Sequence, residues 1–227
     1  MTQMRRSLLN SIDSLKDEVT KMANLVVSNI HESLKAFINN DVELATLVVV
    51  KDEEVDRFEE EIAKQALKIL WKEQPLAGDL RLVTGILKLI TDLERIGDHA
   101  IDIAEITIKT ANLTDKRLLP LITKMTEIAQ NMVLESIESL FKIDVEQAKR
   151  VIMEDDKVDQ IFNIILENIV KEIKADLHDP HYLVYLLMVA KYIERIGDHA
   201  VNICEWIIFI ESGSHKKTSL FWGGFNC

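Results

Sequence analysis

Proline, glycine and cysteine are scarce in this chain, and each shortage closes off a class of architecture. Three prolines and seven glycines among 227 residues are too few turn formers for the many short strands of an all-β protein, so long helices are the first expectation. The two cysteines are Cys204, inside a helical pattern, and Cys227, the last residue. Neither belongs to a disulfide framework or a Cys-x-x-Cys metal site. Long apolar runs are missing too: the most apolar stretch, Tyr182 to Ala190, falls well short of the roughly 20 residues that a bilayer-spanning helix needs. Near the start, Arg5 and Arg6 are followed by Asp13 and Lys16 before any apolar core develops, which is not a signal-peptide pattern. A cytoplasmic location is therefore expected. Positive charge is also in deficit. A net charge of -11 argues against nucleic-acid binding, which needs a basic face, and suits cation binding or plain solubility.

What the chain does have is helical periodicity. With 48% hydrophobic residues it can bury a sizeable core, and six helical segments can be read. The first covers about 4–37 and is broken by Asn39-Asn40-Asp41. Asp41 then caps a second helix reaching about Glu73, with Val48, Val55, Ile62, Ala66 and Ile69 at helical spacing. Gln74-Pro75-Leu76-Ala77-Gly78 is the clearest turn, and a third helix covers about 79–111. A fourth runs from near Asp115 to Ile143, with Pro120 tolerated in its first turns. Asp144 caps a fifth helix to about Leu177, and after His178-Asp179-Pro180 a sixth runs to about Ser212. Helices of about 30 residues are roughly 45 Å rods, and a bundle pairs their apolar stripes.

The chain also repeats itself. Glu94-Arg95-Ile96-Gly97-Asp98-His99-Ala100 returns unchanged as Glu194-Arg195-Ile196-Gly197-Asp198-His199-Ala200. Asp41-Val42-Glu43 returns as Asp144-Val145-Glu146, and Asp52, Val55 and Asp56 return as Asp155, Val158 and Asp159. Glu32-Ser33-Leu34 matches Glu138-Ser139-Leu140 in the same order. The expected fold is all-α: two tandem, pseudo-symmetric three-helix bundles over 1–112 and 113–212, with a tail at 213–227.

The repeated motif concentrates acids. With Glu94 at the origin of a helical wheel at about 100° per residue, Asp98 falls near 40°, Asp102 near 80° and Glu105 near 20°. Leu89, Leu93, Ile96, Ala100 and Ile103 lie on roughly the opposite side, so the acidic stripe is expected to face solvent. The second helix adds Asp52 and Asp56, with Glu59 near the same azimuth. Folding the hairpin about its turn sets Asp56 and Asp52 level with Glu94, Asp98 and Asp102. In the second half, Asp155 and Asp159 come level with Glu194, Asp198 and Asn202 by the same reasoning. Like charges at i, i+4 cost a helix roughly 0.2–0.5 kcal/mol per pair, a penalty that a bound cation removes. Oxygen-only donors favour hard cations, such as Mg or Mn, and bridging carboxylates suit more than one ion. The plainer alternative is a solvated acidic face, partly neutralised by Arg95, Arg195, Lys51 and Lys157.

Across residues 4–212 the chain resembles the PhoU family. The most specific parts are Asp79-Leu80-Arg81, leading through Thr91-Asp92-Leu93 into ERIGDHAIDIAE (94–105), and AKYIERIGDHAVNICE (190–205). The resemblance implies two three-helix bundles whose surface motifs carry multinuclear metal clusters, iron or zinc, in some members. It implies one site on Asp52, Asp56, Glu94, Asp98 and Asp102, and another on Asp155, Asp159, Glu194, Asp198 and Asn202. Asn202 in place of an aspartate leaves the second site one negative charge short. The implied role is to restrain phosphate uptake and phosphate-starvation signalling by contacting a phosphate-sensing histidine kinase and the ATPase of the phosphate-specific ABC transporter. A homodimer is compatible with it.

The remaining candidates have quieter readings. His99 and His199 lie off the acidic stripe and suit interhelical hydrogen bonds; His178 and His181 suit a solvated turn. Arg95 and Arg195 have acidic neighbours and suit ion pairs. Gly97 and Gly197 cost helix stability, and close approach of a neighbouring helix explains them. Phe221, Trp222 and Phe225 in the tail suit docking or a frayed end. Against an enzyme stand the lack of a Glu-x-x-His pair for a di-iron bundle and of a phosphate loop, G-x-S-x-G or H-E-x-x-H. A carboxylate-bridged metalloenzyme and an adaptor with unliganded acidic faces are the alternatives to a metal-binding regulator.

Overall fold

The structure, a computed structural model, describes residues 3–111, 118–175 and 179–213, with all their side chains except those of Gln3, Met4 and Asp52. Every regular element among these residues is a helix. In chain order they are α1 (Gln3–Asn39), α2 (Val42–Val50), α3 (Asp52–Glu73), α4 (Ala77–Lys109), α5 (Leu119–Lys142), α6 (Val145–Lys174) and α7 (Pro180–Ser212). The all-α fold is as expected. Asp115, Leu177, His178 and the aromatic residues of the tail lie outside the described residues.

The helix ends follow local chemistry. Asp41 accepts a hydrogen bond from the Leu44 amide at 3.0 Å, and Asp144 accepts from the Gln147 amide at 2.9 Å. Both are N-caps on amides that the helix itself leaves unbonded. Asp179 caps α7 by accepting from the His181 amide at 2.9 Å, with Pro180 at the start of the helix. The turn before α4 is shorter than expected: Gln74 and Ala77 adopt left-handed φ, and helix begins at Ala77 rather than near Asp79.

One expected helix is two. The rod from Asp41 to Glu73 breaks at Lys51, where the Lys51 amide bonds the Val48 carbonyl at 3.0 Å and the Glu54 amide bonds the Lys51 carbonyl at 3.0 Å. These three-residue steps tighten the turn and offset α2 from α3. The preceding Val48-Val49-Val50 run is the sequence cause, because β-branched side chains crowd the helix. In α6 the matching run is Val151-Ile152-Met153, and the helix is continuous.

The core is built on the three-and-four spacing of apolar residues. On α1, Leu8, Ile12, Leu15, Val19, Met22, Val26 and Ile30 are all buried. They belong to one cluster that also takes in α3, α4, α5, α6 and α7, so the two repeats share a core. Each fully buried aliphatic side chain contributes roughly 1.5–3 kcal/mol. Helices α4 and α7 form the seam between the repeats. Arg81 of α4 donates to the Ile210 carbonyl at 2.8 Å, Gly85 lies under the Ile210 side chain, Asp92 meets His199, and His99 stacks on Tyr192. Partner numbers fall as α4 numbers rise, so the helices run antiparallel. The pairs Asp92–His199 and His99–Tyr192 exchange when the two halves are exchanged, which marks a pseudo-two-fold axis between the histidine rings, 5.7 Å apart.

Candidate metal centres

Two glycines let the acids gather. A Cβ on Gly97 would lie 3.1 Å from a methyl of Val55, so its absence lets α3 settle close on α4. At the equivalent place in the second repeat, a Cβ on Gly197 would lie 2.9 Å from Asp155 Oδ1 and 3.7 Å from Val158. The expected close helix approach is present twice, and in the second case a carboxylate occupies the space.

In the first groove, Asp56 from α3 and Glu94 and Asp98 from α4 each offer one oxygen, all within 4.8 Å of one another. Metal–oxygen bonds of about 2.0–2.6 Å put two ligands of one hard cation at most about 4–5 Å apart, so this donor set fits a shared ion. Asp56 and Glu105 are exposed as the wheel suggested, but Glu94 and Asp98 are partly covered. The Glu94 side chain is 22% exposed and that of Asp98 32%, because α3 covers one flank of the stripe. Burial raises the Glu94 carboxyl above its ordinary range, Asp98 raises it further, Arg95 opposes, and Asp56 and Glu59 add repulsion. Arg95 spans the rim, 3.4 Å from Glu94 and 2.9 Å from Asp98. The side chain of Asp52 lies outside the described residues.

In the second groove Asp155 and Glu194 are half-buried, while Asp159 and Asp198 are exposed. The Asp155 carboxyl is pushed up to about 6, first by burial and then by Asp198, Asp159, Glu194 and Asp156. Its Oδ1 is buried with no hydrogen-bond partner. An oxygen in that position needs a proton or a cation. Asp198 is raised as well, by burial and then Glu194, with Lys191 opposing. Glu194 is 13% exposed and pairs with Lys191, whose Nζ also sits 5.4 Å from the Phe162 ring centroid. Among the described residues only the Asp56, Glu94 and Asp98 oxygens gather within reach of one shared ion; in the second groove Asp155, Asp159, Glu194 and Asp198 feel one another's charge without such a gathering.

Asp102 and Asn202 turn elsewhere. Asp102 Oδ2 lies 3.3 Å from His99 Nδ1, and Asn202 donates to Asp92 Oδ1 at 3.1 Å. Eight residues of helix rotate a side chain by about 80°, enough to carry both from the groove toward the seam. Asp92 binds His199 at 2.8 Å as well. Burial lowers the His99 imidazole below its ordinary value, Asp102 opposes this, and His199 adds to it. Neither Asp92 nor Lys191 was singled out as a site residue in the sequence. The signal lay where the repeats disagree, Thr91-Asp92-Leu93 against Lys191-Tyr192-Ile193.

A duplicated helical unit, with carboxylates lining the groove between the last two helices of each copy, defines this chain as a tandem helical-repeat protein. Comparison with known proteins makes the class specific. The PhoU domain model matches twice, over residues 19–107 and 122–207. A phosphate-specific transport system accessory protein PhoU homolog from Aquifex aeolicus is 35% identical over 210 residues, covering 92% of this chain and 95% of the relative. The Escherichia coli phosphate-specific transport system accessory protein PhoU is 31% identical over 202 residues, covering 89% and 84%. The crystal structure of PhoU from Pseudomonas aeruginosa superposes with a TM-score of 0.85 at 28% identity, covering 90% of this chain and 99% of that one. This chain belongs to the PhoU family. No helix among the described residues is long and apolar enough to cross a membrane.

Proposed function

We propose that the chain is a cytoplasmic, metal-holding regulator of phosphate uptake and phosphate-starvation signalling. It works by docking on the ATPase of the phosphate-specific ABC transporter and on the phosphate-sensing histidine kinase. The names of its relatives supply the link to phosphate transport. The observation that carries the metal reading is the gathering of Asp56, Glu94 and Asp98 oxygens within 4.8 Å in the first groove, with the buried, unpartnered Asp155 Oδ1 beside further carboxylates as support in the second.

Asp52, Asp56, Glu94 and Asp98 would hold metal in the first groove, and Asp155, Asp159, Glu194 and Asp198 in the second. Bound cations supply positive charge that replaces carboxylate repulsion and ties α3 to α4 and α6 to α7. Iron or zinc follows from the family resemblance, and Mn or Mg suits the oxygen-only donors. Arg95 and Lys191 sit on the rims, where they neutralise part of the charge in metal-free protein. The repeats read as 1–112 and 113–212 are units of structure joined through the seam.

Metal analysis of protein purified without chelator tests the first part. Asp56→Ala combined with Asp98→Ala should halve the metal content and leave the helical circular dichroism unchanged, and unchanged stoichiometry would refute the assignment. An adaptor with unliganded acidic faces would contain no metal at all. For the regulatory part, deletion of the gene should leave starvation genes on or uptake unrestrained in phosphate-rich medium. Normal uptake and expression, with no second copy to substitute, would end that reading.

A further inference from the structure

Away from both grooves and the seam, a cavity of about 340 Å³ opens between the first turns of α1 and the last turns of α3. Ile69 forms part of its apolar wall, and the rest is polar: Ser7, Ser11 and Ser14 with Asn10 on α1, and Gln65, Lys68, Lys72 and Glu73 on α3. Its charge balance is unlike that of the protein as a whole, where acids outnumber bases 38 to 27. Of the four basic residues on α3, Arg57 and Lys64 are matched with glutamates. Among the described residues Lys68 and Lys72 form no ion pair, although they stand one turn apart, where like charges repel.

The serines are not imposed by the packing of the repeat. Extending the match of Glu32-Ser33-Leu34 to Glu138-Ser139-Leu140 sets Leu113, Lys116, Arg117 and Pro120 opposite Ser7, Asn10, Ser11 and Ser14. The opposite face of the same turns of α1 carries the core through Leu8, Ile12 and Leu15. Two existing hydrogen bonds shape the polar wall. Ser7 donates to Glu73 Oε1 at 3.0 Å, and Gln65 Nε2 donates to Ser14 Oγ at 3.1 Å. That leaves the two ammonium groups, the Ser11 and Ser14 hydroxyl protons and the Asn10 amide to donate into the cavity.

We propose that this cavity is a binding site for a small phosphate-bearing anion. Two ammonium groups match a group of charge about -1.5 to -2, as a phosphate monoester is near neutral pH, and the hydroxyls and amide add donors to its oxygens. The volume lies at the bottom of the range for small-molecule pockets, about 300–1,000 Å³, which suits free phosphate or a small phosphate ester rather than a nucleotide. Glu73 opposes the anion, limiting affinity while it orients Ser7.

The test is calorimetric titration of the chelator-treated full chain with inorganic phosphate and, separately, with glycerol 3-phosphate, at low salt. Saturable binding of either is expected, and the stronger of the two identifies free phosphate or an ester as the source. Lys68→Gln with Lys72→Gln should weaken binding at least about tenfold by removing two charge-assisted donors, with unchanged circular dichroism. Glu73→Gln should tighten it about two- to fivefold, the usual scale of an exposed charge coupling. Asp98→Asn, in the acidic groove, should leave it unchanged. No saturable binding of either probe, or equal binding by the double lysine variant, would overturn the proposal, as would loss of binding in Asp98→Asn.

Discussion

Alanine substitution at three glycines of α4 measures how closely its neighbours pack, because the intrinsic helix effect is shared while the surroundings differ. Gly→Ala in a helix interior is worth about 0.8–1.0 kcal/mol in favour of alanine. A Cβ at Gly78 meets nothing within 4 Å, and since Gly78 stands in the first turn of α4 part of that gain should appear with no packing cost. At Gly97 the methyl would lie 3.1 Å from Val55 Cγ1, and Val55 is 1% exposed with little room to yield. Overpacking of this kind costs about 1–3 kcal/mol, leaving a net loss of roughly 0–2 kcal/mol. At Gly85 the methyl would fall 2.6 Å from two atoms of Ile210, so the side chain must turn or α7 must shift. The net loss there should be the largest, roughly 2 kcal/mol. Urea and thermal unfolding of metal-free protein provide the readout, at about 2–4 °C in Tm per kcal/mol for a chain of this size. The expected order of stability is Gly78→Ala above wild type, then Gly97→Ala, then Gly85→Ala. If Gly85→Ala stabilised the protein as much as Gly78→Ala, the seam would not be packed as described. Gly197→Ala should differ in kind. It displaces the Asp155 carboxylate, so metal should leave the second groove with little loss of stability.

Asp155 also predicts a pH dependence. Its folded pKa of about 6 lies above the ordinary 3.8, so the native state holds the proton more tightly than the unfolded chain. Metal-free protein should therefore be most stable below about pH 4 with respect to this group and lose roughly 1–2 kcal/mol as pH rises to about 6, allowing for its partial exposure; Asp155→Asn should flatten that slope in urea titrations. Asp144→Ala should cost about 1 kcal/mol through the lost cap, measured by thermal unfolding, while Asp144→Ser recovers most of it. The first repeat expressed alone, residues 1–112, should self-associate in light scattering, since it exposes the apolar seam of α4; a stable, well-packed monomer would contradict the shared core.

Much of this was legible because the repeat supplies an internal control. The caps Asp41 and Asp144 and the tight contacts at Gly97 and Gly197 followed from local chemistry that occurs twice, and the turn at Asp179-Pro180 from its own residues. The hairpin register also brought Asp56 level with Glu94 and Asp98. What escaped depended on how helices lie against one another. Wheel angles set Asp102 with Glu94 because a wheel has no neighbours; in the fold the 80° drift carries Asp102 past the groove toward His99. Glu94 and Asp98 are more covered than the wheel indicated for the same reason, since nothing on the wheel shows α3 lying over their flank. The break at Lys51 went unread because the apolar spacing continues across it from Val48 to Val55.

The seam carries a trace of ancestry. Because α4 and α7 cross antiparallel about a pseudo-two-fold axis, each repeat presents to the other the surface that it receives, which is the geometry of an isologous dimer. A single repeat meeting its own copy could make the same contact. The present chain thus has the form of such a pair fused end to end, and fusion freed the two copies to diverge. Asp92 and Tyr192, or Asp102 and Asn202, are changes that a symmetric pair would have had to make on both sides at once. Joined in one chain, each half could alter its own side of the contact, and the two grooves could come to hold their charges on different terms.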